Sequence, residues 1–277
     1  SILFSSGLSN VRYSTDTGLT WNSINNGLSG INVKKLFFDG TDILAATETG
    51  IFVNNNLSNN WTRLGNGISN VSVTAIHKNG QELFIGSERQ GIYYSNDGGM
   101  SWTPRNGTLV PNLEVTGIKA IGHNVFVSTF NEGVVKSTDG GLTWNTVSSW
   151  SPSSHNNIET LDSILFAISI ISGIYMSVDT GSSWTSIGQG LLRNAPYSLA
   201  VSHDYLYCGV LEAGLWRIPI SDIILNETLV QKPRNFSFSP NPVNDKVTVR
   251  SLQGNPTYCK IEVFNATGIN LYSTELT

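Results

Sequence analysis

Short apolar runs alternate along the chain with segments rich in Gly, Asn and Ser. The runs favour β-branched and aromatic residues, and no stretch keeps a period of 3.6 residues, so the pattern predicts strands rather than helices. Two markers recur every 40 to 42 residues: Trp21, Trp61, Trp102, Trp144 and Trp184, and Gly50, Gly91, Gly133, Gly173 and Gly214. A repeat of this length with four short strands per unit is typical of β-propeller blades.

Each unit is interpreted as four strands, A to D. In the third unit we expect strand A at 73–77, strand B at 83–86, strand C at 92–95 and strand D from Trp102. The first unit begins at strand B, which leaves six B–C hairpins and five A strands. The sequence therefore predicts an all-β chain: a six- or seven-bladed propeller of four-stranded blades, incomplete in its first blade, over residues 1–221.

A Ser-x-Asp-x-Gly-x-x-Trp motif joins strands C and D. An Asp in such a turn can accept backbone N–H bonds, Gly permits a positive φ, and Trp can bury a large apolar face. Because the motif recurs from blade to blade, we interpret it as a structural turn rather than a calcium or catalytic site. Its clean copies contain Asp16 and Trp21, Asp97 and Trp102, Asp139 and Trp144, and Asp179 and Trp184; a degenerate copy runs from Asn54 to Trp61.

These copies resemble the Asp-box (BNR) repeat of sialidases, sortilin-type receptors, xyloglucan-active hydrolases and photosystem assembly factors. The resemblance implies that the C–D turns lie on the face opposite the B–C and D–A loops. Ligand sites of such propellers usually occupy the B–C and D–A face. We therefore expect any binding site on that second face.

Candidate ligand-binding residues can be named on that face. Several B–C loops carry a glutamate near the turn, and the long D–A loop at 148–157 carries an extra tryptophan that the repeat does not explain. An aromatic residue on a polar loop suits stacking on a sugar or on a peptide side chain, although it could equally pack beneath its own loop. The candidates are Glu88, Arg89, Glu132, Trp150, His155, Arg193 and Tyr197.

A glycoside hydrolase that uses glutamates on this face, sialidase-like or xyloglucan-active, is the alternative. Two carboxyls about 6.5–9.5 Å apart could support inversion, and Glu88 and Glu132 lie on adjacent units. The arginine triad of sialidases is incomplete, and Arg217-Ile218-Pro219 follows the last motif instead of preceding the first. The four histidines show no metal-ligand or nucleophile–base spacing, so we expect no metal and no cofactor.

Amino-acid composition limits the classes of partner that the protein could bind. The net charge is −4 with 13% charged residues and no basic run, which argues against nucleic acid. No window reaches the ~18 apolar residues of a membrane span. The two cysteines, Cys208 and Cys259, are too few and too far apart for a disulfide framework and are interpreted as free thiols.

The C-terminal part differs from the repeats. Residues 222–235 are interpreted as a linker, and 236–277 contain Phe-Ser-Pro-Asn-Pro-Val-Asn-Asp at 238–245 and two alternating runs. This segment resembles the start of the type IX secretion sorting domain of Bacteroidetes, which implies a partial small β-sandwich. The resemblance implies the secretion machinery as a partner and an extracellular or cell-surface location. The leading hypothesis is thus a secreted, non-catalytic module that binds a glycan or a surface protein.

Overall fold

The chain folds as a β-propeller. The computed structural model describes residues 2–7, 10–109, 112–147, 157–187, 196–210 and 214–223 in full, and the backbone of four later strands. The first 22 strands of this part of the chain form six antiparallel sheets, which confirms the predicted fold class. Sheets 2 to 5 have four strands each, and sheets 1 and 6 have three.

The sheets follow one another along the chain, and within each sheet the strands keep chain order. Sheets 1 to 3 are β1 (Leu3–Gly7), β2 (Asn10–Ser14) and β3 (Asn22–Ser23); β4 (Val33–Phe38), β5 (Asp42–Thr47), β6 (Gly50–Asn55) and β7 (Thr62–Arg63); and β8 (Val73–Asn79), β9 (Glu82–Ser87), β10 (Ile92–Ser95) and β11 (Thr103–Pro104). Sheets 4 to 6 are β12 (Val115–Ile121), β13 (Asn124–Thr129), β14 (Val134–Ser137) and β15 (Asn145–Thr146); β16 (Asn157–Leu161), β17 (Ile164–Ser169), β18 (Gly173–Ser177) and β19 (Thr185–Ser186); and β20 (Pro196–Val201), β21 (Tyr205–Val210) and β22 (Gly214–Pro219).

The predicted strand letters map directly onto these elements. Sheet 1 begins at strand B, while sheets 2 to 5 run from A to D and sheet 6 from A to C. The A strands β4, β8, β12, β16 and β20 lie next to one another from sheet to sheet. They are the innermost strands of the propeller, and they surround its central channel.

The core lies between the sheets. Strand B is almost entirely buried in sheets 2 to 5, because a neighbouring sheet covers each of its faces. Phe126 and Phe166 are fully buried at two of these interfaces. Burial of a phenylalanine side chain contributes about 1.5–3 kcal/mol, so these contacts hold adjacent sheets together. In contrast β1, the B strand of sheet 1, is mostly exposed.

A β-bulge lies near the start of strand A, the innermost strand, in sheets 2, 3, 4 and 6. The register shifts between Val33 and Lys35 in β4, and at the corresponding places in β8, β12 and β20. A bulge inserts one extra residue opposite a single partner. In β4 the extra residue is Lys34, whose ammonium reaches the loops of the next sheet.

A helical turn at 220–223 follows β22 and buries Ile220 and Ile223 in the sixth sheet's core. Cys208 is free and buried in the same core, and burial raises the pKa of its thiol to about 11. Further on, β23 (Phe236–Ser239) pairs with β24 (Thr248–Ser251), and β25 (Cys259–Phe264) pairs with β26 (Asn270–Leu276). No helix in the described part of the chain has the length and apolar character needed to cross a membrane.

Candidate functional site

Two faces of the propeller carry the side chains singled out by the sequence. The first is formed by the C–D turns of sheets 1, 3, 4 and 5, here called the serine–aspartate turns; each spans one Ser-x-Asp-x-Gly-x-x-Trp copy. In sheet 4, Ser137 Oγ donates to Asp139 Oδ1 at 2.7 Å and accepts from Gly141 N at 2.7 Å. Asp139 also accepts from Thr143 N at 2.9 Å and Thr143 Oγ1 at 2.6 Å. The carboxylate is thus held by donors of its own turn.

The other three turns repeat these bonds: Asp16 accepts from Thr20, Asp97 from Ser101, and Asp179 from Ser183, each through a backbone N–H and a hydroxyl. The hydroxyl bond is the main cause that lowers the pKa of each carboxyl, to about 2 in Asp16 and Asp179. The same cause holds the pKa of Asp97 and Asp139 well below the ordinary range. These carboxylates are therefore ionised at neutral pH, and donors of their own turns already hydrogen-bond to them. This arrangement suits a structural turn.

The tryptophans of the C–D turns in sheets 2 to 5 pack against the preceding sheet. Trp144 is 5% exposed, and its Nε1 donates to Arg105 O of sheet 3 at 2.9 Å and to Gly141 O at 3.1 Å. Trp61 of the degenerate copy is equally buried and donates to Ile24 O of sheet 1. Trp21 of sheet 1 remains 40% exposed. The turn therefore links one sheet to the sheet before it.

The second face carries the B–C and D–A loops. A hydroxyl at the end of strand B fixes the B–C loops of sheets 3 and 4: Ser87 Oγ donates to Gly91 O, and Thr129 Oγ1 donates to Gly133 O, both at 2.9 Å. The glycines have φ values of 72° and 73°, a left-handed conformation that other residues adopt only with strain. The two loops are built alike and differ in the side chains they present.

Backbone bonds tie these loops to the residues that enter strand A. Glu88 N donates to Ser72 O at 2.9 Å in sheet 3, and Phe130 N donates to Glu114 O at 3.0 Å in sheet 4. A loop with fixed backbone holds its side chains in place before a ligand arrives, which lowers the entropy cost of binding.

A cleft of about 490 Å³ opens between sheets 3 and 4 on this face. It is lined by Glu88, Arg89, Asn112, Leu113, Glu114, Asn131 and Glu132. The lining is rich in oxygen acceptors, because three glutamates and two asparagines converge on one opening. Such a cleft suits a ligand with many O–H or N–H donors.

Glu88 is already engaged within the protein. Its Oε2 lies 2.6 Å from Lys34 Nζ, which comes from sheet 2, and accepts from Ser72 Oγ at 2.9 Å. The Lys34 bond, followed by the Ser72 bond, lowers the pKa of Glu88. A general acid of a glycosidase needs a raised pKa. Glu88 is thus an ionised structural anchor of the cleft wall.

The structure brings three of the sequence candidates together and places a fourth elsewhere. Glu88, Arg89 and Glu132 share the cleft. Tyr197 lies at the bulge of β20 in sheet 6, is 52% exposed and does not line this cleft. Trp150, His155 and Arg193 lie outside the described residues.

Sequence reasoning missed the D–A side of the cleft, namely Asn112, Leu113 and Glu114. One signal was present: Glu114 directly precedes the apolar start of β12, at the loop end of strand A. Arg217, in turn, stacks on the Tyr205 ring at 4.6 Å within sheet 6. This contact lies on the surface of sheet 6, and Arg217 does not line the cleft.

Among the described residues, no group of three or more His, Cys, Asp and Glu side chains is placed to hold a metal ion. No protein-family profile matches the chain, and no curated protein matches it.

Solved structures do match. The GH74 enzyme of Niastella koreensis has a TM-score of 0.56 and 20% identity, over 76% of this chain and 34% of that one. YCF48 bound to a D1 peptide has a TM-score of 0.50 and 18% identity, over 65% and 62%. The extracellular domain of BT4673 from B. thetaiotaomicron has a TM-score of 0.63 and 17% identity, over 94% and 41%.

These neighbours share the β-propeller fold. The chain spans about a third of the GH74 enzyme and less than two thirds of each of the other two. They include an enzyme, a peptide-bound protein and an extracellular domain, so their fold alone does not choose between catalysis and binding.

Proposed function

We propose that the chain is a secreted, non-catalytic interaction module that binds a glycan or a surface protein through the cleft between sheets 3 and 4. The proposal rests on a contrast between two neighbouring loops: their backbone geometry is the same, but their side chains differ. The B–C loops of sheets 3 and 4 have the same hydroxyl and glycine geometry, yet they differ in the residues that line the opening. Side chains that vary on a repeated scaffold are free to serve a ligand.

The chemistry of the lining favours a glycan over a surface protein. Glu114 and Glu132 offer carboxylate oxygens, and Asn112 and Asn131 add amide oxygens and donors. Sugar hydroxyls can donate to all of these oxygens. Trp150, on the neighbouring long D–A loop of the sequence, would supply the stacking surface that the described lining lacks.

The turn geometry supports the proposal that the repeats belong to the Asp-box class. In sheet 4, the Ser, Asp, Gly and Trp of the copy act together in one hydrogen-bonded turn. The Ser–Asp and Ser–Gly bonds recur in the other three copies. In Asp-box propellers the ligand face lies opposite these turns. The cleft would then lie on the expected face.

Secretion is proposed on the sequence of residues 236–277. Their Phe-Ser-Pro-Asn-Pro segment at 238–242 and the strand pairs β23–β24 and β25–β26 fit the start of a type IX sorting domain. The secretion machinery would be the partner of this segment, and the propeller would act outside the cell or on its surface. Removal of 236–277 in a Bacteroidetes host should leave the protein unexported; export of the shortened chain would refute this part.

The binding proposal is tested on a glycan array with the full chain. We expect binding to one glycan class, and loss of it in a Glu114→Gln/Glu132→Gln variant that keeps the size of both side chains. Glu48→Gln, at a B–C loop of sheet 2 outside the cleft, is the matched control and should bind normally. Trp150→Ala tests the stacking role separately. No glycan binding by the folded protein would reject a glycan ligand and leave a surface protein as the partner.

A glycoside hydrolase is the second candidate, favoured by the three glutamates that line one cleft. An inverting enzyme needs one protonated carboxyl and one ionised carboxyl across the sugar. Glu88 is unsuited to the acid role because its pKa is lowered. Release of reducing ends from the bound glycan, abolished by Glu132→Gln, would establish the enzyme and overturn the non-catalytic proposal.

A further inference from the structure

The residue that follows strand D is charged in sheet 3 and aliphatic in the other sheets that have this strand. In sheets 1 to 5 its backbone N–H donates to a carbonyl of strand C, which identifies five equivalent positions: Ile24, Leu64, Arg105, Val147 and Ile187. The four aliphatic residues pack into the core between their own sheet and the next. Sheet 3 therefore places an arginine where the repeat places an interface residue.

The guanidinium of Arg105 is held by packing, but its Nε has no hydrogen-bond partner. Its Cζ lies 4.9 Å from the centre of the Tyr94 ring, which is a cation–π contact. The Nε atom is buried, and no group in the described part of the chain accepts its hydrogen. The salt bridges between described residues do not include Arg105. A buried donor without an acceptor destabilises the fold, so we looked for an acceptor that a ligand could supply.

A cavity of about 230 Å³ lies beside Arg105, between sheets 3 and 4 on the face of the serine–aspartate turns. Pockets for drug-sized ligands measure about 300–1,000 Å³, so this cavity suits a smaller ligand of a single ring. It shares no lining residue with the cleft on the opposite face. Besides Arg105, its polar side chains are Glu82, Tyr94, His123 and Asp139, and its apolar side chains are Phe84, Val125 and Leu142.

The charges of this lining favour a neutral ligand. Two carboxylates and one guanidinium face the cavity, so an anion would approach Glu82 and Asp139, and a cation would approach Arg105. Asp139 already accepts hydrogen bonds from its own turn. Glu82 accepts from Tyr94 Oη at 2.6 Å, and a carboxylate has room for further donors. A hydroxyl group both donates and accepts, so adjacent hydroxyls can serve the carboxylate and the guanidinium together.

We propose that this cavity binds one neutral sugar ring. One hydroxyl accepts the hydrogen of Arg105 Nε, a second hydroxyl donates to Glu82, and the C–H groups of the ring pack against Leu142, which is 56% exposed. The bound sugar gives the buried donor the acceptor that the chain lacks. The site lies on the face opposite the cleft, so it does not depend on the function proposed for the cleft.

NMR of the full chain with ¹⁵N-labelled arginine tests the proposal, because it observes the Nε–H resonance of Arg105 directly. The probes are the methyl glycosides of glucose, galactose, mannose and xylose, with sodium acetate as the anionic comparison. We expect at least one glycoside to shift the Arg105 resonance in a saturable way, and acetate to leave it in place. No shift with any glycoside, or a saturable shift with acetate alone, would overturn the proposal.

The variant Arg105→Leu separates binding from stability, because it restores the aliphatic residue that Leu64 provides in sheet 2. It should keep or raise the unfolding temperature, and it should weaken glycoside binding, measured by calorimetry, at least about tenfold through loss of a charged donor. Arg63→Leu is the matched control: Arg63 lies 5.2 Å from the Phe52 ring but does not line the cavity, so binding should be unchanged. A lower unfolding temperature of Arg105→Leu with unchanged binding would show a purely structural role and contradict the assignment.

A second pair of variants distinguishes this site from the cleft. Glu82→Gln should weaken the glycoside response of the Arg105 resonance, because the ligand hydroxyl loses a charged acceptor. Glu114→Gln/Glu132→Gln should leave that response unchanged even if the cleft binds nothing. Loss of the response in the cleft variant, with Glu82→Gln unaffected, would place the sugar in the cleft and overturn the proposal.

Discussion

The carboxylates on the two faces of the propeller differ in what surrounds them. On the serine–aspartate turns, Asp139 and its three counterparts each accept hydrogen bonds from the same positions of their own turn. On the loop face, Glu88 is bound by a lysine of another sheet, while Glu114 and Glu132 line an open cleft. Repetition marks the residues that hold the blades, and departure from repetition marks the residues that we propose to serve a ligand.

The largest expected effect is on the turn face, at its buried tryptophan. Trp144→Ala should lower the free energy of unfolding by about 3–5 kcal/mol, because it removes a large side chain and two hydrogen bonds from the interface of sheets 3 and 4. Trp21→Ala is the matched control and should lower it far less, since Trp21 is 40% exposed. Urea unfolding measures both; equal losses would show that burial between sheets does not govern the role of the motif.

The buried serine of the turn should have the next largest effect. Ser137→Ala leaves the buried Gly141 N–H without its acceptor and should lower the free energy of unfolding by about 1–3 kcal/mol. Ser23→Ala, at an exposed position of β3, should change it by less than about 0.5 kcal/mol. A similar loss in both variants, measured by urea unfolding, would contradict the assigned role of Ser137.

Acid should weaken the turn face selectively. The folded state lowers the pKa of Asp16 and Asp179 from 3.8 to about 2, so the unfolded chain binds protons first as the pH falls. The stability that these carboxylates provide is complete above about pH 4. It is lost as the pH falls towards 2.

Thermal unfolding at a series of pH values between 5 and 2 measures this loss. The variant Asp16→Asn/Asp179→Asn should be less stable at pH 5 and should show a shallower decline. An unchanged slope would mean that acid acts elsewhere, for example at the Lys78–Asp39 pair.

The smallest effect concerns backbone strain in the same turns. Thr180 follows Asp179 and has a φ of 56°, where sheets 3 and 4 place Gly98 and Gly140. Thr180→Gly should raise the free energy of unfolding by less than about 1 kcal/mol, because relief of strain is partly offset by the greater freedom of glycine in the unfolded chain. Urea unfolding measures the change, and a loss of stability would show that the threonine is unstrained here.

The repeat made the fold predictable from the sequence. Tryptophan and glycine spacing fixed the strand order and the six B–C hairpins, and the predicted strand C at 92–95 is observed as Ile92–Ser95. Chemistry within a single turn is local, so the roles of Asp139 and Ser137 follow from a few adjacent residues. Short-range rules suffice where every partner lies within a few positions along the chain.

The cleft and the contacts between the A strands depend on residues far apart in sequence. Lys34 meets Glu88 across 54 positions, and Lys119 of sheet 4 forms an ion pair with Glu159 of sheet 5. Neither relation leaves a mark on the repeat, because each joins positions that differ from sheet to sheet. The sequence of the B–C loops placed Glu88 and Glu132 on one face of the propeller. It could not show that Glu114 lines the same cleft.

The central claim is that the repeated carboxylates maintain the fold and the unrepeated ones serve a ligand. The most direct test compares the unfolding temperatures of Asp139→Asn and Glu132→Gln, which each remove one negative charge with little change in size. We predict a clear decrease for Asp139→Asn, whose turn loses its main acceptor, and no decrease for Glu132→Gln. An equal decrease in both variants, or a decrease only in Glu132→Gln, would contradict the account.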